Sequence, residues 1–240
     1  LSNMNKWQKL INWRWRKTHF GEFFADPHYF LAVAMVAGVG VIFRLPMLMS
    51  PNQLPDGDEA IVGIMALDLM GGELASVFFY GQQYGLAIFE AALTALGFYV
   101  IGFENLLPKV ASMLYWLIGI ALLMDVVRQS IDQRSAIVTG LILVTNSAFA
   151  FWSIKAWGGV VPGFVFFSGS LWVAVAAHHG RIRRESGAAL TGLLCVFTFF
   201  SYPLWFPPLL PVLLWSWSKS WNIRELVIFV GCATLAALVW

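Results

Sequence analysis

The sequence predicts an all-α membrane protein: a polytopic bundle of about seven spans whose first outer loop holds two helices lying against the membrane. Three observations lead there. Hydrophobic residues make up 59% of the 240-residue chain and charged residues only 12%, with a mean hydropathy of +0.73; an average soluble domain is about 45–50% apolar and about 25% charged. Backbone polar groups in lipid must be satisfied internally, so apolar stretches of this kind read as helices. The few Lys and Arg residues also fall into two unequal groups along the chain, which fixes how the stretches thread.

Taken in order, residues 1–28 carry Lys6, Lys9, Arg14, Arg16 and Lys17 with Trp7, Trp13 and Trp15, a basic and aromatic composition suited to the cytoplasmic headgroup region. No small-residue cleavage site follows the first apolar run, so this is not a cleavable signal. Span 1 is expected over 29–49, and an outer loop over 44–108. Residues 53–93 hold Asp56, Asp58, Glu59, Asp68, Glu73 and Glu90, six of the thirteen carboxylates, and no Lys or Arg. A helix is expected over 59–70, stopped by Gly71-Gly72 and too short to cross a bilayer, which takes about 20 residues. FFYGQQYG, residues 78–85, is a Gly- and amide-rich turn.

The segment 84–103 is long enough to cross, and the cations decide that it does not. With it held outside, the later spans run 109–127, 136–152, 160–178, 188–202, 204–217 and 226–240. Twelve Lys and Arg then share the side of the N-terminus, and only Arg44, Lys109 and Lys155 lie outside. Letting 84–103 cross gives seven inside and eight outside, against the positive-inside rule. So 84–103 is expected as the second juxtamembrane helix, and 188–202 with 204–217 as a hairpin of short helices, the second interrupted by prolines. The chain begins with Leu1 in place of a Met, and its domain from 29 to 240 ends at Trp240 inside an apolar run, which reads as part of a longer protein with further spans and a C-terminal domain. Cys195 and Cys232 sit in apolar runs, where neither a disulfide nor a metal site is expected.

Asp58-Glu59 carries the sharpest chemical signal. Acidic residues stabilise a helix start, with Asp58 expected at the N-cap. A carboxylate at a membrane interface also serves as a general base toward a hydroxyl attacking a sugar carbon. Asp56, within Pro55-Asp56-Gly57, reads as a turn residue. Tyr80, Gln82, Gln83 and Tyr84, on a loop bracketed by glycines, offer the mixed donors and acceptors that sugar hydroxyls need. Glu90, on an apolar helix, is either a functional carboxylate or the partner of Arg44 or Lys109. Lys155, with Arg44 as second choice, is the cation for a phosphate. Asp125 and Arg128 read as an i,i+3 pair.

These residues resemble the GT-C superfamily of integral-membrane glycosyltransferases, most of all the bacterial group related to protein mannosyltransferases and aminoarabinose transferases, family 39 in kind. GDEAIVGIMALDLMGGE followed by FFYGQQYG is similar to that group's first-loop pattern, and ENLLPKVASMLYWLIGIALLMDVVRQ to its next span. The resemblance covers most of 29–217. It implies transfer of a sugar from a polyprenyl-phosphate carrier to a lipid, glycan or protein acceptor on the periplasmic side of the bacterial inner membrane. By that match Asp58 is the catalytic base and Glu59 an assisting residue. The reaction needs no organic cofactor, a divalent metal remaining open, and no nucleic-acid partner is expected. The chain departs from the group at WGGVVPGF, where Val160, Val161 and Pro162 stand in place of a Tyr and an acid. A transporter or lipid flippase is the competing class, since it too places carboxylates near the membrane, but no inverted repeat is visible.

Overall fold

A computed structural model describes residues 26–50, 54–73, 76–211, 213–214 and 222–238. The basic N-terminal segment therefore lies outside the described residues apart from its last three positions, as do residues 212 and 215–217 of the expected span 204–217. The described part is all-helical: α1 Pro27–Leu48, α2 Gly57–Gly71, α3 Ile88–Ile101, α4 Leu107–Ser130, α5 Gln133–Thr145, α6 Ser147–Trp152, α7 Val160–His178, α8 Arg184–Ser201, a 3-10 turn Pro203–Trp205, and α9 Ile223–Leu238. Among the described residues α1, α4 and α7 are long and apolar enough to cross a membrane.

Local chemistry sets the ends of these helices. Asp26 caps α1, its Oδ1 accepting from the backbone N–H groups of His28 and Tyr29, with Pro27 at the first helical position. α2 ends at Gly72 in the left-handed region (φ 76°), and Glu73 N–H donates back to Asp68 O. The expected span 136–152 is not one helix: Asn146 leaves the helical conformation (ψ 122°), ends α5, and caps α6 by accepting from Ala148 and Phe149 N–H. The expected 188–202 starts earlier, so that α8 has 18 residues and matches α7 in height. Gly187 meets Ala177 at one end of that pair and Gly163 meets Ser201 at the other. Beyond the 3-10 turn, Leu209 packs with Leu171 and Cys195, midway down the same two helices.

The core forms where α1, α4, α5 and α7 meet, around Tyr29, Val36, Trp116, Met124, Val144 and Phe164. α7 lies centrally, against α4 on one side and α8 on the other. The bundle has two chemically different ends. At one end Asp125 is buried and accepts from Arg128 (2.8 Å), Gln129 (2.5 Å) and Trp172 (2.7 Å), while the Arg128 guanidinium lies 4.1 Å above the Tyr29 ring. The sequence-expected i,i+3 pair is thus one edge of a larger network joining α1, α4 and α7. The other end carries the acidic loop. There α3 packs on the first turns of α4: Gly97 against Leu107, the Tyr115 hydroxyl donating to Phe89 O at 2.9 Å. α2 packs on α3 through Val62, Met65, Ala87 and Ala91.

Candidate functional site

The start of α2 sets the geometry. Asp56, extended at φ −77° and ψ 179°, is its N-cap, accepting from Asp58 N–H and Glu59 N–H at 3.1 Å each, while Glu59 Oε2 accepts from Asp56 N–H at 3.2 Å. This reciprocal pair is a capping box. The sequence reading placed the cap at Asp58; the Pro55-Asp56-Gly57 turn starts the helix two residues sooner. Asp58 and Glu59 consequently occupy the first turn proper, about 100° apart around the axis, and they diverge. Glu59 is 3% exposed and pairs with Lys109 at 2.5 Å. The Asp58 side chain is 36% exposed, with its Oδ2 3.9 Å from Lys155 Nζ. Lys155 is closer to Asp56, at 2.7 Å. Burial alone would raise the Asp56 carboxyl, but the hydrogen bond and charge of Lys155 and the two capping N–H groups outweigh it and hold the group below its ordinary value. The hydrogen bond to Asp56 in turn raises the Lys155 ammonium.

Two cavities share a wall, and Asp58 lines one of them. The more polar chamber, of about 150 Å³, is lined by Asp58, Gln82, Tyr84, Ser201 and Tyr202 together with Phe79, Trp157 and Val160. An apolar groove of about 280 Å³, walled by Trp116, Phe149, Trp152, Phe164 and Trp205, adjoins it and shares Trp157, Val160 and Tyr202. The groove's aromatics hold one another in place: Trp152 and Trp157 stack at 4.4 Å, Phe164 packs against Trp205 at 5.2 Å, and Trp205 donates its indole N–H to Val160 O. On the opposite side of the α2 start, a third cavity of about 220 Å³ is lined by Asp56, Glu59, Lys109 and Lys155 among apolar neighbours.

The sequence candidates divide. Asp58, Gln82 and Tyr84 face the polar chamber. Glu59 and Lys155 face the third cavity, Lys155 bridging toward Asp58. Gln83 is exposed and lines neither the chamber nor the groove. Tyr80 turns away and donates a hydrogen bond from its hydroxyl to Asp68. Arg44 is fully buried. It donates to Ser153 Oγ (2.6 Å), Gly40 O (2.8 Å) and Val144 O (3.1 Å), with its guanidinium 4.0 Å over the Trp116 ring, so it stands behind the groove wall instead of in the cavity. Glu90 pairs with neither Arg44 nor Lys109. Its carboxylate is fully buried and accepts from Gly159 N–H at 2.8 Å and Ser112 Oγ at 3.4 Å. Burial raises this carboxyl to about 7, against the opposing pull of the turn's backbone N–H groups and of Ser112.

Sequence reasoning missed Trp157, Ser201, Tyr202 and the groove aromatics. The signal that could have found them is the aromatic density of FWSIKAWGG and SYPLWF. Among the described residues no cluster of three or more His, Cys, Asp or Glu side chains is arranged to hold a metal ion. Comparison of the chain with models of known protein families, with curated proteins and with solved structures finds no match.

Proposed function

We propose that the protein is a membrane glycosyltransferase that moves a sugar from a polyprenyl-phosphate carrier to an acceptor hydroxyl at the outer face of a bacterial cell membrane. The observation that carries this reading is the junction of a polar chamber holding Asp58 with an aromatic groove among the membrane helices. A lipid-linked sugar has the same two-part chemistry, an apolar chain joined to a hydroxyl-rich head. The amide of Gln82 and the hydroxyls of Tyr84, Ser201 and Tyr202 supply mixed donors and acceptors for the head, and the groove takes the first isoprene units.

In this reading Asp58 accepts the proton of the acceptor hydroxyl as its oxygen attacks the anomeric carbon. The bond from that carbon to the phosphate oxygen breaks on the opposite face, and the phosphate departs as an anion that needs no proton. Configuration inverts, and one carboxylate suffices. Lys155, whose ammonium is 3.9 Å from Asp58 and 5.0 Å over the Trp157 ring that lines both chamber and groove, carries the charge that meets the phosphate. Glu59, committed to Lys109, orients the start of α2. We further infer seven crossings: α1, α4, α5 with α6, α7, α8, the segment after the 3-10 turn, and α9. The acidic end then lies outside, because Arg128, Arg134, Arg181, Arg183, Arg184 and Arg224 cluster at the other.

The test is transfer by the purified protein in lipid nanodiscs, supplied with a labelled polyprenyl-phosphate hexose and a lipid acceptor. Asp58→Asn is expected to lower transfer at least about a hundredfold while the carrier still binds. A protein that moves the carrier between leaflets without breaking the sugar–phosphate bond, with or without Asp58, is a flippase, and the transferase reading fails.

A further inference from the structure

The wall between the two cavities is a turn with an unusual construction. Residues 157–159 lead into α7, and Gly158 and Gly159 both have positive φ, 57° and 96°. The successive N–H groups of this turn face one side, which makes a backbone concavity for an anion, and the positive end of the 19-residue helix α7 adds to it. That concavity is filled from within the chain. Glu90, from the first turn of α3, places Oε2 2.8 Å from Gly159 N–H, and the N–H groups of Trp157 and Gly158 also point at its carboxylate. Ser112 of α4 closes the other side at 3.4 Å.

The turn is interlocked with the loop that carries Gln82 and Tyr84. A Cβ on Gly85 would sit 2.2 Å from Gly158 O, one on Gly158 2.6 Å from the Phe79 ring, and one on Gly159 2.5 Å from Leu86 N. Gly85 N–H also donates to Phe200 O of α8 at 2.7 Å. The backbones therefore touch, and displacement of one displaces the other. Trp157, on this turn, lines both the chamber and the groove.

We propose that Glu90 is a positioning residue and a proton-operated latch: its carboxylate holds the 157–159 turn, and through it the Gln82–Tyr84 loop, and taking up a proton loosens the wall between chamber and groove. The groups around it set the sign. α4 offers Ser112, with the Tyr115 hydroxyl bound to the neighbouring Phe89 O; the turn before α7 offers backbone N–H groups; α2 packs Val62 and Met65 with Ala87 and Ala91; Phe197 of α8 packs on the ring of Phe89; no cation of the described residues is paired with Glu90. Ionised, the carboxylate makes charge-assisted bonds to the turn. Protonated, it fits the apolar surroundings better but grips the turn less. Its folded value near 7 lies above the ordinary carboxyl value of 4.5, so the latch opens as pH falls through about 7. The inference rests on the two cavities forming one site, but its test does not require transfer activity.

Hydrogen exchange of the full chain in nanodiscs reads the latch directly. At pH 8, after correction for the chemical exchange rate, Glu90→Gln is expected to exchange about tenfold faster than wild type in peptides covering 79–86 and 157–162, the size of losing one hydrogen bond to a charged group. Peptides around the Asp125 network are expected to be unchanged, which shows that the variant is folded. In the wild type, protection of the same two stretches is expected to fall between pH 8 and pH 6, while the Gln variant stays flat. Equal protection in variant and wild type, or a pH-independent wild type, overturns the proposal. The wild-type pH series decides the matter alone if the variant does not fold. Loss of transfer in Asp58→Asn with the latch intact, or an inactive protein with a working latch, separates this inference from the transferase reading.

Discussion

Asp58 and Glu59 are neighbours in sequence with opposite fates, and the difference is testable. Asp58→Asn removes the one carboxylate that faces the polar chamber among the described residues, and turnover is expected to fall at least about a hundredfold, within the 10²–10⁴ range of general bases, with little change in melting temperature. Glu59→Gln strands Lys109 in a site where both side chains are buried. Removing one partner of a buried pair costs about 3–5 kcal/mol, so this variant is expected to lose more stability than activity per folded molecule. Transfer kinetics combined with thermal unfolding check both, and near-normal transfer by Asp58→Asn beside a dead Glu59→Gln assigns the base to the other residue. Asp56 has a third role. Its cap to Ala substitution is expected to cost about 1 kcal/mol. Because Lys155 and the cap N–H groups lower its folded value from 3.8, Asp56 contributes its stability above about pH 4 and loses it as pH falls below that. An acid titration of unfolding, wild type against Asp56→Ala, is expected to converge at low pH. The sequence showed this acidic dyad plainly but not its division of labour, because capping depends on where the chain leaves the helix, and the three carboxylates lie within four residues.

At the scale of elements, the helices were legible wherever apolar length and a stop signal coincided. α2 ends at the Gly-Gly that predicted its end, and α7 spans the residues that hydropathy marked out. The break at Asn146 was not legible, since a single Asn inside an apolar run reads as tolerated until its side chain is seen capping two N–H groups. Glu90 was legible as an anomaly and not as a solution: its partners are backbone N–H groups 69 residues away, which no side-chain pattern announces. The same contact makes an element-level prediction. Gly85→Ala forces a Cβ onto Gly158 O at a residue with φ 77°. Strain and overlap together are expected to destabilise the protein by about 1–3 kcal/mol, measurable as a lowered unfolding midpoint, while Gly81→Ala, with open space around it, is expected to cost only the strain.

For the molecule as a whole, the division of cations between two ends is what the proposed topology rests on, because charge at a membrane is counted per side and survives errors in any one boundary. The structure places α3 beside the first turns of α4, with Gly97 at Leu107 and Phe89 at Tyr115. Glu73→Cys and Asn105→Cys, each in a background without Cys195 and Cys232, are expected to react with an impermeant thiol reagent from the same, outer side. Labelling of the two positions from opposite sides would make α3 a crossing helix.

The short helix α5 has a kinetic consequence. Its 13 residues rise about 20 Å, less than the roughly 30 Å of a hydrocarbon core. The chain then bends into α6, whose Trp152 is at once a wall of the aromatic groove and 41% exposed on the outer surface. If the groove takes the carrier proposed above, that carrier reaches it sideways, by diffusion within the sheet of lipid. Its encounter rate is then set by molecules per unit area and not per unit volume. Adding inert lipid at fixed total carrier is expected to slow the reaction in proportion to the dilution of the surface, while changing the volume of water around the same vesicles leaves it untouched.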